Sequence, residues 1–369
     1  MKKTVFIAAL AVVAMASCTK NELKVPSTGS DAVISFQPVV ANATKADYLT
    51  TANMKDKFTS FGVFAWYAEP TLVSGGSATA YMNNVTVTYD GEIDDNTTGK
   101  GAWKPASPYY WPKNGTLSFD AYAPANAHAA SPSKGSGKVS STAANGLKIE
   151  NYEVAALAGQ YDLLYSTRTL NKTTSTGGTN DTYDGVDIAF HHALSAIEVT
   201  AKTDKDYSGA IKLKTITILN AYTKGTFNQN MTDAITEGAP GAAAWSDHNT
   251  EDNYVLFNGD QALSTSALTS VTTPAISKAI LLPQSFDHSP ETVNKVSIQV
   301  NYAIKHGEEY LDQTQTFTLN TTTVSSAIQN GWEKGKRYTY NFIFSLKDIY
   351  FAPSVEVWDD ITVDEIDVK

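Results

Sequence analysis

The 369-residue chain has a single cysteine, Cys18. One thiol forms no internal disulfide and builds no zinc site of several Cys ligands. Charge is also scarce: 18% of residues are Asp, Glu, Lys or Arg, below the ~25% of an ordinary soluble protein. Basic residues are the rarer sign, 28 Lys+Arg against 38 Asp+Glu, for a formal net charge of −10. That balance excludes the basic stripe a nucleic-acid groove needs to displace counterions. The Ala/Glu/Lys/Leu/Arg signature of a helix-rich chain is missing, and Tyr, Thr, Val and Ile run in short alternating segments. No long apolar run is present either. The stretch ending at Ser17 is too short for a bilayer of ~30 Å, which takes about 20 residues.

That stretch is nevertheless informative. Met1-Lys2-Lys3 precedes an apolar segment that closes on small residues, the pattern of a secretory signal over residues 1–17. Met15-Ala16-Ser17-Cys18 ends it like a bacterial lipobox. Cys18 would then become the N-terminus and carry acyl chains that bury CH₂ groups in a leaflet. The alternative is a plain signal peptide with an incidental cysteine. Residues 19–31 are polar, with Pro and Gly, and read as a tether.

The body is a succession of short strands. Ala32, Ile34, Phe36 and Val40 share one face of a first strand at period two. Pro38 lacks an N–H, which predicts an edge strand or one that ends early. Phe61 to Tyr67, Tyr81 to Tyr89, Leu117 to Tyr122, Asp162 to Ser166, Ile188 to Thr200, Ile211 to Leu219, Ala279 to Gln284, Val296 to Val300 and Tyr338 to Phe344 continue the series. Residues 125–146, 171–185 and 228–250 read as polar, Gly-containing loops. The overall expectation is all-β: antiparallel β-sandwiches in tandem, dividing near residue 185 into 46–185 and 186–369.

Chemistry is hard to find. No phosphate-binding G-x-x-x-x-G-K-[ST], no H-E-x-x-H and no G-x-S-x-G is present. The chain therefore reads as non-enzymatic, with no cofactor and no metal site. His191 and His192 are adjacent on a strand, so one points in and the other out. Trp103, Tyr109, Tyr110 and Trp111 form either a sugar-stacking platform or part of the core. Lys334, Lys336 and Arg337 read as a solvated hairpin end.

Several segments carry a family resemblance in order: the lipobox at Cys18, the Ile34/Phe36 strand, Thr44-Lys45-Ala46, Phe61 to Ala65, and Tyr110-Trp111-Pro112. Asp162 to Tyr165, Phe190 to Leu194, Leu282-Pro283-Gln284, Gly335 to Tyr338 and Val357-Trp358 complete it. Together they resemble the fimbrillin family of the Bacteroidales, major and minor fimbrial-subunit-like lipoproteins. The resemblance implies two transthyretin-like sandwiches, export to the outer membrane and cell surface as a lipoprotein, and a fimbria (pilus) assembled with other fimbrial subunits. It implies too that an Arg- or Lys-specific protease removes the segment 18–45, cutting at the position Lys45 occupies; lysine here departs from the family's usual arginine.

Removing that segment would withdraw Ile34 and Phe36 and leave an apolar groove with unpaired backbone groups, a template for another strand. The candidate donor is the C-terminal segment with Val355, Val357, Ile361 and Val363. A competing reading makes Val355 to Trp358 the last strand of the second sandwich. Two other functions stand beside the fimbrial one: a surface lipoprotein that binds glycans through Trp103 and Trp111, and a β-sandwich hydrolase, for which no motif speaks. A host or bacterial surface ligand is a further expected partner.

Overall fold

The computed structural model describes residues 33–40, 58–69, 78–90, 103–112, 115–166, 168–172, 186–229, 244–286, 295–319, 331–347 and 349–357. Their strands, in chain order, are β1 (Phe36–Val40), β2 (Ser60–Ala68), β3 (Thr79–Tyr89), β4 (Trp103–Pro105), β5 (Thr116–Ala123), β6 (Lys138–Thr142) and β7 (Gly146–Glu153). Then come β8 (Leu164–Ser166), β9 (Thr169–Lys172), β10 (Val186–His192), β11 (Ser195–Thr203), β12 (Ile211–Asn228) and β13 (Ala244–Ala262). The series ends with β14 (Ala279–Leu281), β15 (Gln284–Ser285), β16 (Ser297–His306), β17 (Glu309–Thr318), β18 (Gly331–Trp332), β19 (Lys336–Phe344) and β20 (Ile349–Val357). The all-β expectation holds, and the only helical pieces among the described residues are single 3₁₀ turns.

The first sheet runs β2-β3-β4-β1-β10-β8-β5-β9, and β2 also pairs with β5 from Gly62↔Tyr122 to Ala68↔Thr116. The sheet is thus closed on itself around one core. Alternation supplies the lining: Ile34 and Phe36, Phe61, Val63 and Ala65, Leu117, Phe119 and Ala121, Val186, Ile188 and Phe190. The remaining sheets are β17-β16-β12-β7-β6 with β13 on β12, β14-β11-β19-β20, and the pair β15-β18. Between them lies a second core, with Ile211, Leu213, Ile216 and Ile218 across from Tyr338, Tyr340, Phe342 and Phe344.

The two cores share a wall. On β2, β5 and β8, one set of side chains (Val63, Ala121, Leu164) belongs to the first core, while Phe64, Tyr122 and Tyr165 belong to the second. Strands buried on both faces need no polar side, so Phe61 to Ala65 and Ala121 to Ala123 read as continuous apolar runs. Gly62 is required there, because a Cβ would lie 2.2 Å from the Tyr122 ring.

Strand pairing crosses position 185 in both directions. β10 belongs to the first sheet, between β1 and β8, while β7 pairs with β12 in the second body. Residues 125–146 are correspondingly not just a loop. β6 and β7 form a hairpin whose Val139, Leu147, Ile149 and Tyr152 enter the second core. The stretch 228–250 likewise contains the start of β13, paired with β12 at Asn228↔Ala244.

A buried ion pair fastens that hairpin to the wall. The Asp120 carboxylate, fully buried, accepts from Arg168 Nε at 2.8 Å, from Arg168 Nη2, and from Ser141 Oγ at 2.7 Å. Arg168 also donates to the Thr142 carbonyl at 2.9 Å and to the Ala143 carbonyl. Trp66 Nε1 donates to Ser141 Oγ at 3.2 Å. Every donor thus finds an acceptor on the hairpin or on Asp120.

Buried phenols make the fold sensitive to alkali. Burial raises the ionisation of Tyr122, Tyr152, Tyr254, Tyr338 and Tyr340 above the ordinary tyrosine value, and pushes Tyr161 up to about 12. The unfolded chain ionises these groups near pH ~10 and the folded chain resists. Their stabilisation is therefore complete below pH ~10 and is lost as pH rises from there through the folded values. A cooperative loss of β signal between about pH 10 and 12 is expected in circular dichroism; full stability at pH ~12 would contradict it.

Candidate functional site

Ile34 and Phe36 have no exposed surface. Phe36 opens β1 and Ile34 lies two residues ahead of it; the segment runs inside the first sheet. On one side it pairs with β10 in parallel, from Phe36↔Val186 to Val40↔Phe190, and the Ser35 carbonyl accepts from Val186 N–H at 2.8 Å. On the other it meets β4 at Phe36↔Trp103, Ile34 N–H donates to the Tyr109 carbonyl at 2.7 Å, and Val33 bridges Tyr110. Ser35 thus faces β10 and Ile34 faces away. By the period of two, Pro38 also faces away from β10, so its missing N–H costs the parallel ladder nothing. Of the two expectations, an edge strand or one that ends early, the first is corrected in that β1 stands between β10 and β4; β4 pairs with it only at Phe36, so Pro38 faces a side with no strand pairing among the described residues.

Aromatic rings form the seat of Phe36. Its ring meets Phe61 at 6.0 Å and Phe119 at 5.7 Å, both edge-on. Phe61 in turn contacts Trp103 at 5.3 Å and Phe190 at 5.5 Å, and Trp111 sits against Phe119 at 5.9 Å. Burying one Phe or Ile side chain contributes about 1.5–3 kcal/mol. The strand is therefore held mainly by two side chains and one parallel ladder, and its withdrawal would empty an aromatic pocket.

Trp103 and Trp111 belong to this core, with 6% and 5% exposure. They are not the exposed platform on which a glycan reading depends. The lysine/arginine turn is also more than a solvated end. Arg337 is buried, Lys336 pairs with Glu333 at 2.7 Å, and Lys334 donates to the Tyr165 hydroxyl at 3.0 Å. His192 is buried and Nδ1-bonded to the Asp162 carboxylate, while His191 is half-buried beside the Tyr165 ring.

The C-terminal residues separate. Val355 and Val357 lie on β20, opposite Tyr338 and Lys336 of β19, so the competing reading of a last strand describes their place. Among the described residues β20 has β19 as its one strand partner and stands at the edge of its sheet. Cys18, Lys45, Ile361 and Val363 lie outside the described residues. The sequence reading missed Phe351 on β20. It packs on Tyr340 at 5.6 Å and on Phe342 and Phe317 at 5.2 Å each, beside an exposed Tyr350.

Comparison with known proteins gives a consistent picture. A family model described as fimbrillin-like matches residues 44–358. A fimbrial protein from Bacteroides vulgatus is similar with a TM-score of 0.55 and 16% identity, over 89% of this chain and 99% of that one. A candidate cell adhesion protein from Bacteroides uniformis is similar with a TM-score of 0.51 and 16% identity, over 90% of this chain and 100% of that one. Among curated proteins, none matches. At these identities the solved structures speak for the fold.

Proposed function

The chain belongs to the fimbrillin-like family, and from that premise we propose that it is a cell-surface fimbrial subunit that assembles by exchanging its first strand. Family and fold support a fimbrial or adhesion role. The finer reading rests on one observation, the seat of β1: Ile34 and Phe36 fill an interior slot and are followed within a few residues by Lys45. The family match begins at Thr44, beside that lysine, and leaves β1 ahead of it.

In this reading Cys18 carries the lipid that brings the chain to the outer membrane. Cleavage at Lys45 then detaches the 18–45 segment. Withdrawal of β1 exposes the β10 and β4 edges and the ring pocket, an arrangement that recruits a strand. The C-terminal segment of a neighbour, including Val355, Val357, Ile361 and Val363, supplies it. The contact is head-to-tail, so it propagates instead of closing a dimer. Burial of Trp103 and Trp111 leaves the glycan reading without its platform.

The N-terminus of the protein on the cell surface tests this. Processed subunits are expected to begin at Ala46, and Lys45→Ala is expected to hold the chain in the lipidated form starting at Cys18. A wild-type surface pool made wholly of lipidated Cys18 chains would overturn the proposal.

A further inference from the structure

One long sheet edge of the second body is left open. In the sheet β17-β16-β12-β7-β6, β17 is terminal, and it reads EYLDQTQTFT from Glu309 to Thr318. Residues 309–316 are exposed on both faces of the strand. Edge strands display unpaired N–H and C=O groups, and proteins blunt them with bulges, proline, lysine or a covering group. Three other edges of this body are blunted so. The register of β13 on β12 breaks at four places, and the Leu256 carbonyl of β13 accepts from Ser277 N–H at 2.8 Å. On β14 the Ile280 N–H donates to Gln160 Oε1 at 2.7 Å, and on β6 the Val139 N–H donates to His128 Nδ1 at 3.1 Å. β17 has no proline, glycine or lysine, and its register on β16 runs unbroken from Ser297↔Thr318 to His306↔Glu309.

Neighbouring bonds show which backbone groups of β17 face outward. Leu319 N–H donates to the Val296 carbonyl, in line with that register, and Lys305 N–H of β16 donates to the Ala210 carbonyl, away from β17. By the alternation of an antiparallel ladder, Glu309, Leu311, Gln313, Gln315 and Phe317 therefore bond toward β16. Tyr310, Asp312, Thr314, Thr316 and Thr318 turn their N–H and C=O to the free edge, where no strand meets them among the described residues. The side chains of this second set lie on the outer face. Thr314 Oγ1 donates to Asn301 Oδ1 at 2.8 Å, and the Tyr310 hydroxyl to the Gly209 carbonyl at 3.0 Å. The inner face carries Leu311, 49% exposed, and Phe317, whose ring packs on Phe342 at 5.0 Å.

We infer that this edge pairs with the β17 edge of a second copy, antiparallel about a two-fold axis at Thr314. In that register Asp312 lies opposite Thr316, Tyr310 opposite Thr318, and the two Thr314 residues meet, so facing N–H and C=O groups satisfy one another. On the inner face Gln313 lies opposite Gln315, and the exposed Leu311 lies opposite Phe317. No two carboxylates oppose each other. Moving the axis one residue either way sets Phe317 against Glu309 or Gln313, and moving it onto Asp312 opposes two carboxylates, which is destabilising. The partner of matching chemistry is thus the same strand. The contact leaves β1 in place and does not rest on strand exchange.

One strand against one strand is a small interface, short of the ~1,200–2,000 Å² of a stable complex. Isolated chains therefore stay monomeric at micromolar concentration. Copies held close together on a surface meet at a far higher effective concentration, where such contacts add. The open edge is a side-to-side contact for copies already brought near one another.

The test uses the full mature chain, uncut and with Cys18→Ser, so that an introduced cysteine is the only thiol. At roughly 0.1–1 mM, where small interfaces are populated, equilibrium sedimentation is expected to show monomer and dimer in exchange. Thr314→Lys puts two ammonium groups at the axis and is expected to weaken the dimer about tenfold. Val255→Lys, at an exposed position on β13, is expected to leave it unchanged. Thr314→Cys is expected to form a disulfide dimer on mild oxidation, because hydrogen-bonded antiparallel pairs hold their Cα atoms ~5.5 Å apart, within disulfide range. A chain that is monomeric throughout that concentration range overturns the inference, as does a dimer that Thr314→Lys leaves intact. Thr314→Cys chains that crosslink to Val255→Cys chains and not to one another would seat the edge on β13 and overturn it too. A dimer weakened by Thr314→Lys without the Thr314→Cys crosslink overturns the axis. Circular dichroism shows whether Thr314→Lys folds; if it does not, the crosslink decides alone.

Discussion

Replacing Phe36 with alanine in the intact chain is expected to lower the unfolding free energy by about 3–5 kcal/mol, the range for a buried Phe→Ala change. Phe36 has no exposed surface and meets Phe61 and Phe119 edge-on, a geometry that adds to plain area burial. The loss should also be local before it is global. β1 is held by its parallel ladder with β10 and by short contacts with β4 and Tyr109, so a weakened ring seat lets it detach while the rest stays folded. Hydrogen exchange at Val186, whose N–H bonds the Ser35 carbonyl, should rise more than at Ile298 in the second core. Urea unfolding gives the total. A change under about 1 kcal/mol would mean that the pocket collapses around the missing ring and that β1 is not anchored there.

The second large effect concerns the joint between the two cores. Arg168→Met is expected to cost about 3–5 kcal/mol, because it strands a buried carboxylate. Asp120 is fully buried, and its partners are Arg168 and Ser141. The double variant Asp120→Leu/Arg168→Met is expected to recover much of that loss, since removing both members of a buried pair is often nearly neutral. Equal instability of the single and double variants would show that the Arg168 bonds to the Thr142 and Ala143 carbonyls carry the effect. In either case the β6–β7 hairpin should be the segment that loosens, because those carbonyls lie at its turn.

Much of the fold was legible because alternation marks a sheet with one buried face. Ile34 and Phe36 share one face at period two and both lie in the first core, and Tyr338, Tyr340, Phe342 and Phe344 show the same period in the second. What alternation left open or misplaced has physical reasons. β2 and β5 are buried on both faces, so their sequence shows no sidedness. On β12 the inward set changes from Ile211 and Leu213 to Ile216 and Ile218, a slip of one residue caused by the register shift between Leu213 and Thr215. Residues 125–146 looked like a loop because Ala, Ser and Gly dominate, yet Val139 already points into the second core. Pro38 suggested an edge because sequence does not tell which way a backbone faces. The ion pair of Asp120 and Arg168 left no signal, as 48 positions separate its members.

The central claim is that the first strand is a removable plug. The direct measurement is the size of the full mature chain before and after cleavage at Lys45, by native gel and light scattering. The account predicts a monomer before cleavage and a ladder of head-to-tail oligomers after it. A cut chain that stays monomeric, both alone and mixed with other fimbrial subunits, would contradict it.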